Sequence, residues 1–208
     1  MSLPPLASTA DLESHLGRSL APAAAELAIR RASGRVRSYT RQQISFQADD
    51  TIEMPGGDRI LRVPQRPLVV DVARPLTVIE VGEFGAPDMP LVEGVDFARL
   101  GNELTRGYPY HPRTRLLGWP WNRSLGVWAP TVRLTYSHGY ITIPDDIVDV
   151  VLELATVNVT NVEGLRSESI DDYSRTYATE TVGGAKLTAD HKEALRSYRI
   201  GAFSVRQS

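Results

Sequence analysis

The amino-acid sequence predicts an α+β protein: a helical bundle formed by N- and C-terminal helices, with a large β-rich insertion between them. Three observations predict it. Residues 8–42 and 144–199 place apolar side chains at helical spacing, whereas residues 44–141 change to a period of two broken by Pro and Gly. The tract from Tyr136 to Val159 shows one regime turning into the other within a few residues. The expected organisation is therefore N-terminal helices in 1–43, a β-rich insertion in 44–141, and a long helix, extended arm, C-terminal helix and tail in 142–208, the last packing with 1–43 as one domain.

Ser8 followed three residues later by Asp11 makes the Asp form of a capping box, opening a short helix that carries Leu12 and Leu16 and closes at Gly17. A second helix starts at Pro22 and runs to about Arg41. Its stripe of Ala25, Ala28, Ile29, Ala32, Val36 and Tyr39 is poor in large side chains, which suits close packing on a neighbour; Arg30, Arg37 and Arg41 take the opposite side.

In the insertion the alternation predicts strands over Ile44–Gln47, Arg59–Val63, Leu68–Ala73, Thr77–Gly82, Glu103–Arg106, Arg115–Gly118 and Thr131–Ser137. Pro55-Gly56-Gly57-Asp58 reads as a hairpin loop. Pro64, Pro67 and Pro75 confine the strands they touch to edges or starts, because proline donates nothing to a ladder.

After Gly139, Pro144 starts a helix expected to reach Val162, with Asp145 and Asp146 complementing the positive end of its dipole. At about 100° per residue, Asp145, Asp146, Asp149, Glu153, Thr156, Thr160 and Glu163 share one polar stripe, and apolar residues cover the remaining arc of roughly 220°. One core contact needs about half that width, so this helix must bury two sides. The tract SESIDDYSRTYATETVGG then reads as an extended arm or hairpin, Thr188 caps a final helix carrying Ala194, Leu195 and Tyr198, and Ile200–Val205 returns to alternation.

Composition narrows the function classes. The 208 residues are 42% hydrophobic and 23% charged, values ordinary for a globular protein, and no run approaches the ~18 apolar residues of a membrane span. The N-terminus lacks the basic start and apolar stretch of a secretory signal, and the absence of cysteine excludes disulfides and thiolate metal sites. A net charge of −2 argues against sequence-specific nucleic-acid binding. Charge is nonetheless uneven: residues 99–133 hold six Arg against Glu103 alone, and residues 46–98 hold ten acids against four Arg. A basic surface facing one partner and an acidic one facing another would follow.

Catalytic signatures are missing. His15, His111, His138 and His191 show no metal-ligand spacing, so neither a metal nor a cofactor is expected. His138, beside Ser137 and ahead of Asp145 and Asp146, lacks a Gly-x-Ser-x-Gly elbow and reads as a turn residue after a strand. Gly56-Gly57 and Gly183-Gly184 are not set in phosphate-loop or dinucleotide spacing. The carboxylate pairs Asp49–Asp50, Asp145–Asp146 and Asp171–Asp172 suit turns and caps. The aromatic-basic stretch Arg106–Trp128 is a platform on which a nucleic-acid strand or a sugar could stack, but its three prolines suit a loop packed between subunits, with Trp119 and Trp121 as its contacts.

The order of Tyr136, Gly139, Tyr140, Pro144, Asp146 and Ile147 resembles the strand ending in Tyr-x-x-Gly-Tyr, the spacer ending in Pro and the apolar helix of the head-to-tail connector (adaptor, head-completion) proteins of long-tailed bacteriophages. LRVPQRPLVV at Leu61–Val70, SESIDDYSRTY at Ser167–Tyr177 and LRSYR at Leu195–Arg199 extend the match, which spans about two thirds of the chain. The long β insertion departs from the smaller, almost wholly helical members.

The resemblance implies a virion structural protein and no enzyme: a dodecameric ring in the neck, assembled in the host cytoplasm. It would join the portal protein of the head to a stopper or tail-completion protein, with DNA passing through the lumen without being read, and no membrane contact. In such a ring Val148, Val151, Leu152, Ala155 and Val159 of the over-wide apolar arc would meet a neighbouring subunit. Tyr198, Ile200, Phe203 and Val205 would anchor the portal, with Arg199 and Arg206 at the rim. A head-closure or tail component of the same virion, and a carbohydrate-binding or enzymatic β module, are the alternatives.

Overall fold

The computed structural model describes residues 3–107, 126–160, 167–170, 173–176 and 186–201. The chain divides into two compact units: Met1–Ser45 with Tyr140–Ser208, and Phe46–Gly139.

The first unit is helical. Helix α1 (Thr9–Leu16) begins at Ser8, whose Oγ accepts the Asp11 N–H at 3.1 Å while the Asp11 carboxylate accepts the Ser8 N–H at 3.1 Å. The Ser8 hydroxyl and N–H hold the Asp11 carboxyl below its usual range. Helix α2 (Pro22–Thr40) buries Ala25, Ala28, Ile29, Ala32 and Val36, and ends at Arg41 in the left-handed region with φ 60°. Helix α3 (Asp145–Thr160) follows Pro144, whose carbonyl accepts the Val148 N–H at 3.1 Å; proline thus stands just before the first turn rather than inside it. Helix α4 (Ala189–Ala194) is capped by Thr188 and followed by a 3-10 turn, Arg196–Tyr198. Leu12, Ile29, Val36, Ile44, Ile147, Val151, Leu154 and Leu195 belong to one core. Arg37, expected on the outer side of α2, is instead half-buried: it donates to the carbonyl of Gln43 at 2.8 Å, the hydroxyl of Ser45 at 2.7 Å and the carbonyl of Pro4.

The second unit holds two antiparallel sheets. Strands β1 (Gln47–Pro55), β8 (Thr131–His138), β4 (Thr77–Glu80) and β5 (Met89–Leu91) are ordered 1-8-4-5, with β3 (Leu68–Val69) also on β8; β2 (Ile60–Arg62), β7 (Glu103–Arg106) and β6 (Phe97–Leu100) form the other sheet. Alternation along β8 turns Val132, Leu134 and Tyr136 inward, where they share a core with Val78, Leu61, Leu104, Phe97 and Trp128. The two sheets are tied by a buried ion pair in which Arg106 Nε meets Glu80 Oε1 at 2.9 Å.

Several expected elements change. Ile44 does not begin a strand, since its φ of 67° excludes extended backbone; β1 starts three residues later. Pro55–Asp58 is not a hairpin loop between β1 and β2, which lie in different sheets. It runs instead beside the entry to β8, Gly56 donating to the Pro130 carbonyl at 2.8 Å, and a Cβ on Gly56 would lie 1.9 Å from the Ala129 carbonyl oxygen. The strand expected over Leu68–Ala73 shrinks to two residues because Asp71 folds the chain back, accepting the Ala73 and Arg74 N–H groups. β5 and β6 have no sequence signal: one contains Pro90 and the other, FARL, does not alternate. The tract read as an arm or hairpin contains an antiparallel pair, β9 (Ser167–Ile170) with β10 (Tyr173–Thr176). The strand expected at Arg115–Gly118 lies outside the described residues.

Candidate interaction surfaces

Helix α3 carries the greatest density of singled-out residues. Val151 and Ala155 are completely buried and Leu152 is 6% exposed, all within the core of the helical unit. Their apolar surface is therefore taken up inside the chain, which corrects their assignment to a subunit contact. Val148 and Val159 pack against the same core but keep part of their surface in solvent. On the far side of the helix Asp145, Asp146, Asp149 and Glu153 are exposed.

That acidic side borders a groove of about 590 Å³ between α3 and α4. Val150, Leu154, Val157 and Ala194 give it an apolar lining, and Asp146, Asp149, Glu153 and Asp190 surround it, with Lys186 the basic exception. His191 closes one part: its Nε2 meets Glu153 Oε2 at 2.6 Å while its Nδ1 accepts the Thr188 N–H at 3.3 Å. An Nδ1 that accepts carries no proton, so the ring donates to Glu153 from Nε2.

The C-terminal segment, read as a portal anchor, is engaged by its own unit as far as it is described. Leu195 is fully buried, Ile200 is 5% exposed, and the Ile200 N–H donates to the Thr40 carbonyl at 3.0 Å. Tyr198 packs edge-on against Tyr140, its carbonyl accepts from the Gln42 amide, and its hydroxyl reaches Asp146. Arg199 lies over the Tyr39 ring, 5.1 Å from its centroid. Tyr198 and Ile200 thus have intrachain roles that account for their chemistry, and Phe203, Val205 and Arg206 lie outside the described residues. So do Trp119 and Trp121; the ends of their stretch, Arg106 and Trp128, are buried with the Arg106 guanidinium 5.8 Å from the indole centroid.

His138 is the sharpest departure from expectation in the second unit. It is the last residue of β8, with no exposed surface, rather than a turn residue. Its partner is Asp50 of β1, at 3.1 Å, not the Asp145–Asp146 pair. Burial pushes the imidazole pKa down against the opposing pull of the Asp50 carboxylate. Among the described residues its Nδ1 has no hydrogen-bond partner, and the neighbouring Ser137 hydroxyl accepts the Asp49 N–H at 3.2 Å. A hydroxyl already bound to backbone and a ring sealed from solvent are strand-pairing chemistry. The sequence contains Asp50 and His138, but the ladder sets His138 across from Gln47 and Asp50 across from Tyr136, and the bulge between Gln47 and Asp50 is announced by no local pattern.

Among the described residues no group of three or more His, Cys, Asp or Glu is placed to hold a metal ion. No described helix is long and apolar enough to cross a membrane.

No family model matches the chain, and none of the curated proteins does. Among solved structures it is similar to one described as "Neck of native GTA particle computed with C12 symmetry", at 12% identity and a TM-score of 0.49, covering 99% of this chain and 93% of that one.

Proposed function

We propose that this chain is a structural protein of a virion neck, an adaptor whose copies form a ring between the portal of a phage head and the stopper or tail. DNA passes through the lumen of that ring. The helices of 1–43 and 142–208 act as its bundle, and the β insertion is a separate unit carried by each copy. One observation supports this most directly: the residues of the connector resemblance stand together where the chain passes from one unit to the other. Tyr136 is buried near the end of β8, Gly139 takes a φ of 87°, the Tyr140 N–H donates to the Ile44 carbonyl at 2.7 Å, and α3 follows Pro144. Positive φ is what glycine accepts without strain, so the Gly of the motif has a structural reason in this chain.

The reading assigns the chain no catalytic step and no cofactor. His138 and Ser137 are committed to strand pairing. Electron microscopy of the purified protein mixed with its candidate portal tests it. A dodecameric ring seated on portal is expected; binding to a stopper but never to portal would instead make the chain a head-closure component.

A further inference from the structure

We infer that the outward face of α2 in one copy docks into the α3–α4 groove of a second copy, as the head-to-tail contact of the ring proposed above, on which this inference rests. The outward face of α2 carries Arg30, Arg31 and Arg35, and Arg41 caps its end, all four exposed; Glu26, one turn before Arg30, is the one acid of the helix. Among the described residues none of the four guanidinium groups has an ion-pair or hydrogen-bond partner in its own chain. At the centre of this face Leu27 is 44% exposed, with Arg30 and Arg31 following it on the next turn.

The groove is the complement of that face in both chemistry and length. Val157 and Ala194 leave apolar surface open on its wall for an inserted leucine, and its carboxylates suit arginines arriving around it. Two of those carboxylates, Asp149 and Asp190, make no hydrogen bond or ion pair with any described residue. Asp146 to Val157 extends about 16 Å along α3, and Leu27 to Arg35 about 12 Å along α2, at roughly 1.5 Å per residue. An apolar knob inside a rim of charges is the anatomy of a protein contact. It does not fit a nucleic-acid backbone, which would leave Leu27 unused against phosphate. The two surfaces lie on different helices of the same unit, so docking one into the other on a second copy is heterologous and continues until a ring closes.

Charge reversal of full-length protein, followed by sedimentation velocity at low salt, tests the contact. Arg31→Glu with Arg35→Glu, and separately Asp149→Arg with Asp190→Arg, should each weaken self-association about a hundredfold, because like charges then face each other. All four changes in one chain, or an equal mixture of the two variants, should restore it to within about tenfold of the natural chain, since every interface again pairs opposite charges. Restoration also shows that the variants fold. Should a reversal lower the melting temperature, Leu27→Ser gives the same readout, weakening association with melting unchanged. If the reversed variants assemble like the natural chain, this contact is wrong and the ring stands. Failure of the charge swap to restore assembly, or loss of binding to duplex DNA with assembly intact, also overturns it. A natural chain that stays monomeric at every concentration overturns the contact, and if it then forms no ring on portal, the ring fails with it.

Discussion

The Tyr198 hydroxyl donates to the Asp146 carboxylate, lying 2.9 and 2.8 Å from its two oxygens, and so fastens the end of the described chain to the first turn of α3, 52 residues earlier. Burial first, and then this hydrogen bond and the Asp146 charge, push the phenol up to about 12. A raised phenol pKa means that the contact's stabilisation is complete below the ordinary value of 10.0 and is lost as pH rises towards about 12. Tyr198→Phe should cost about 1 kcal/mol in thermal melting, a typical value for a half-exposed hydrogen bond. It should also remove the tyrosine that ionises near pH 12 in an ultraviolet titration. An unchanged titration curve would place that phenol elsewhere.

The Arg106–Glu80 pair should be the most sensitive polar feature of the second unit. Both side chains are nearly enclosed, at 3% and 10% exposure, and Glu80 also accepts the Ala129 N–H at 3.1 Å. Glu80→Ala strands the guanidinium in the core and should destabilise by about 3–5 kcal/mol in urea unfolding. The near-ultraviolet signal of Trp128, beside Arg106, should weaken with it. A loss below about 1 kcal/mol would mean that water reaches Arg106.

Acid should loosen the β1–β8 pairing through His138. Its folded pKa lies below the ordinary value of 6.5, so the unfolded chain binds the proton more readily and stability rises with pH across that interval. The contribution is complete above 6.5 and is lost as pH falls through 6.5 towards the folded pKa. Melting temperatures measured from pH 7.5 to 5 should fall for the natural chain and fall less steeply for His138→Gln. Parallel profiles for the two proteins would clear His138 of the effect.

Substitutions on the two sides of α3 should separate cleanly. Val151→Asp puts a carboxylate where nothing is exposed, and an unpaired buried charge should abolish folding of the helical unit. Glu153→Ala removes an exposed partner of His191 and should cost no more than about 0.5 kcal/mol. Equal losses in circular dichroism melts would reverse this assignment of faces.

What could be read from the residues alone was whatever chemistry closes within three or four positions. Ser8 and Asp11 satisfy each other across one turn, Thr188 caps α4 by bonding the His191 N–H, and Val132, Leu134 and Tyr136 face inward because a strand alternates wherever it pairs. Pro144 and the acids after it mark the start of α3 for the same local reason. Only the tertiary structure decided the rest, because it depends on partners brought together from afar. Asp50 and His138 are 88 positions apart, and β1 chose β8 over the neighbouring β2. The wide apolar arc of α3 illustrates the limit best: periodicity shows how much surface must leave water, but not whether the same chain or another covers it. In this chain Val151 and Ala155 were covered from within, by a core that joins residues of α1, α2, α3 and the segment around Leu195. Tyr198 and Ile200, apolar in pattern and near the end, were likewise claimed by Asp146 and Thr40. Burial is a property of the whole assembled chain, and a one-dimensional pattern records the need for it without naming the partner.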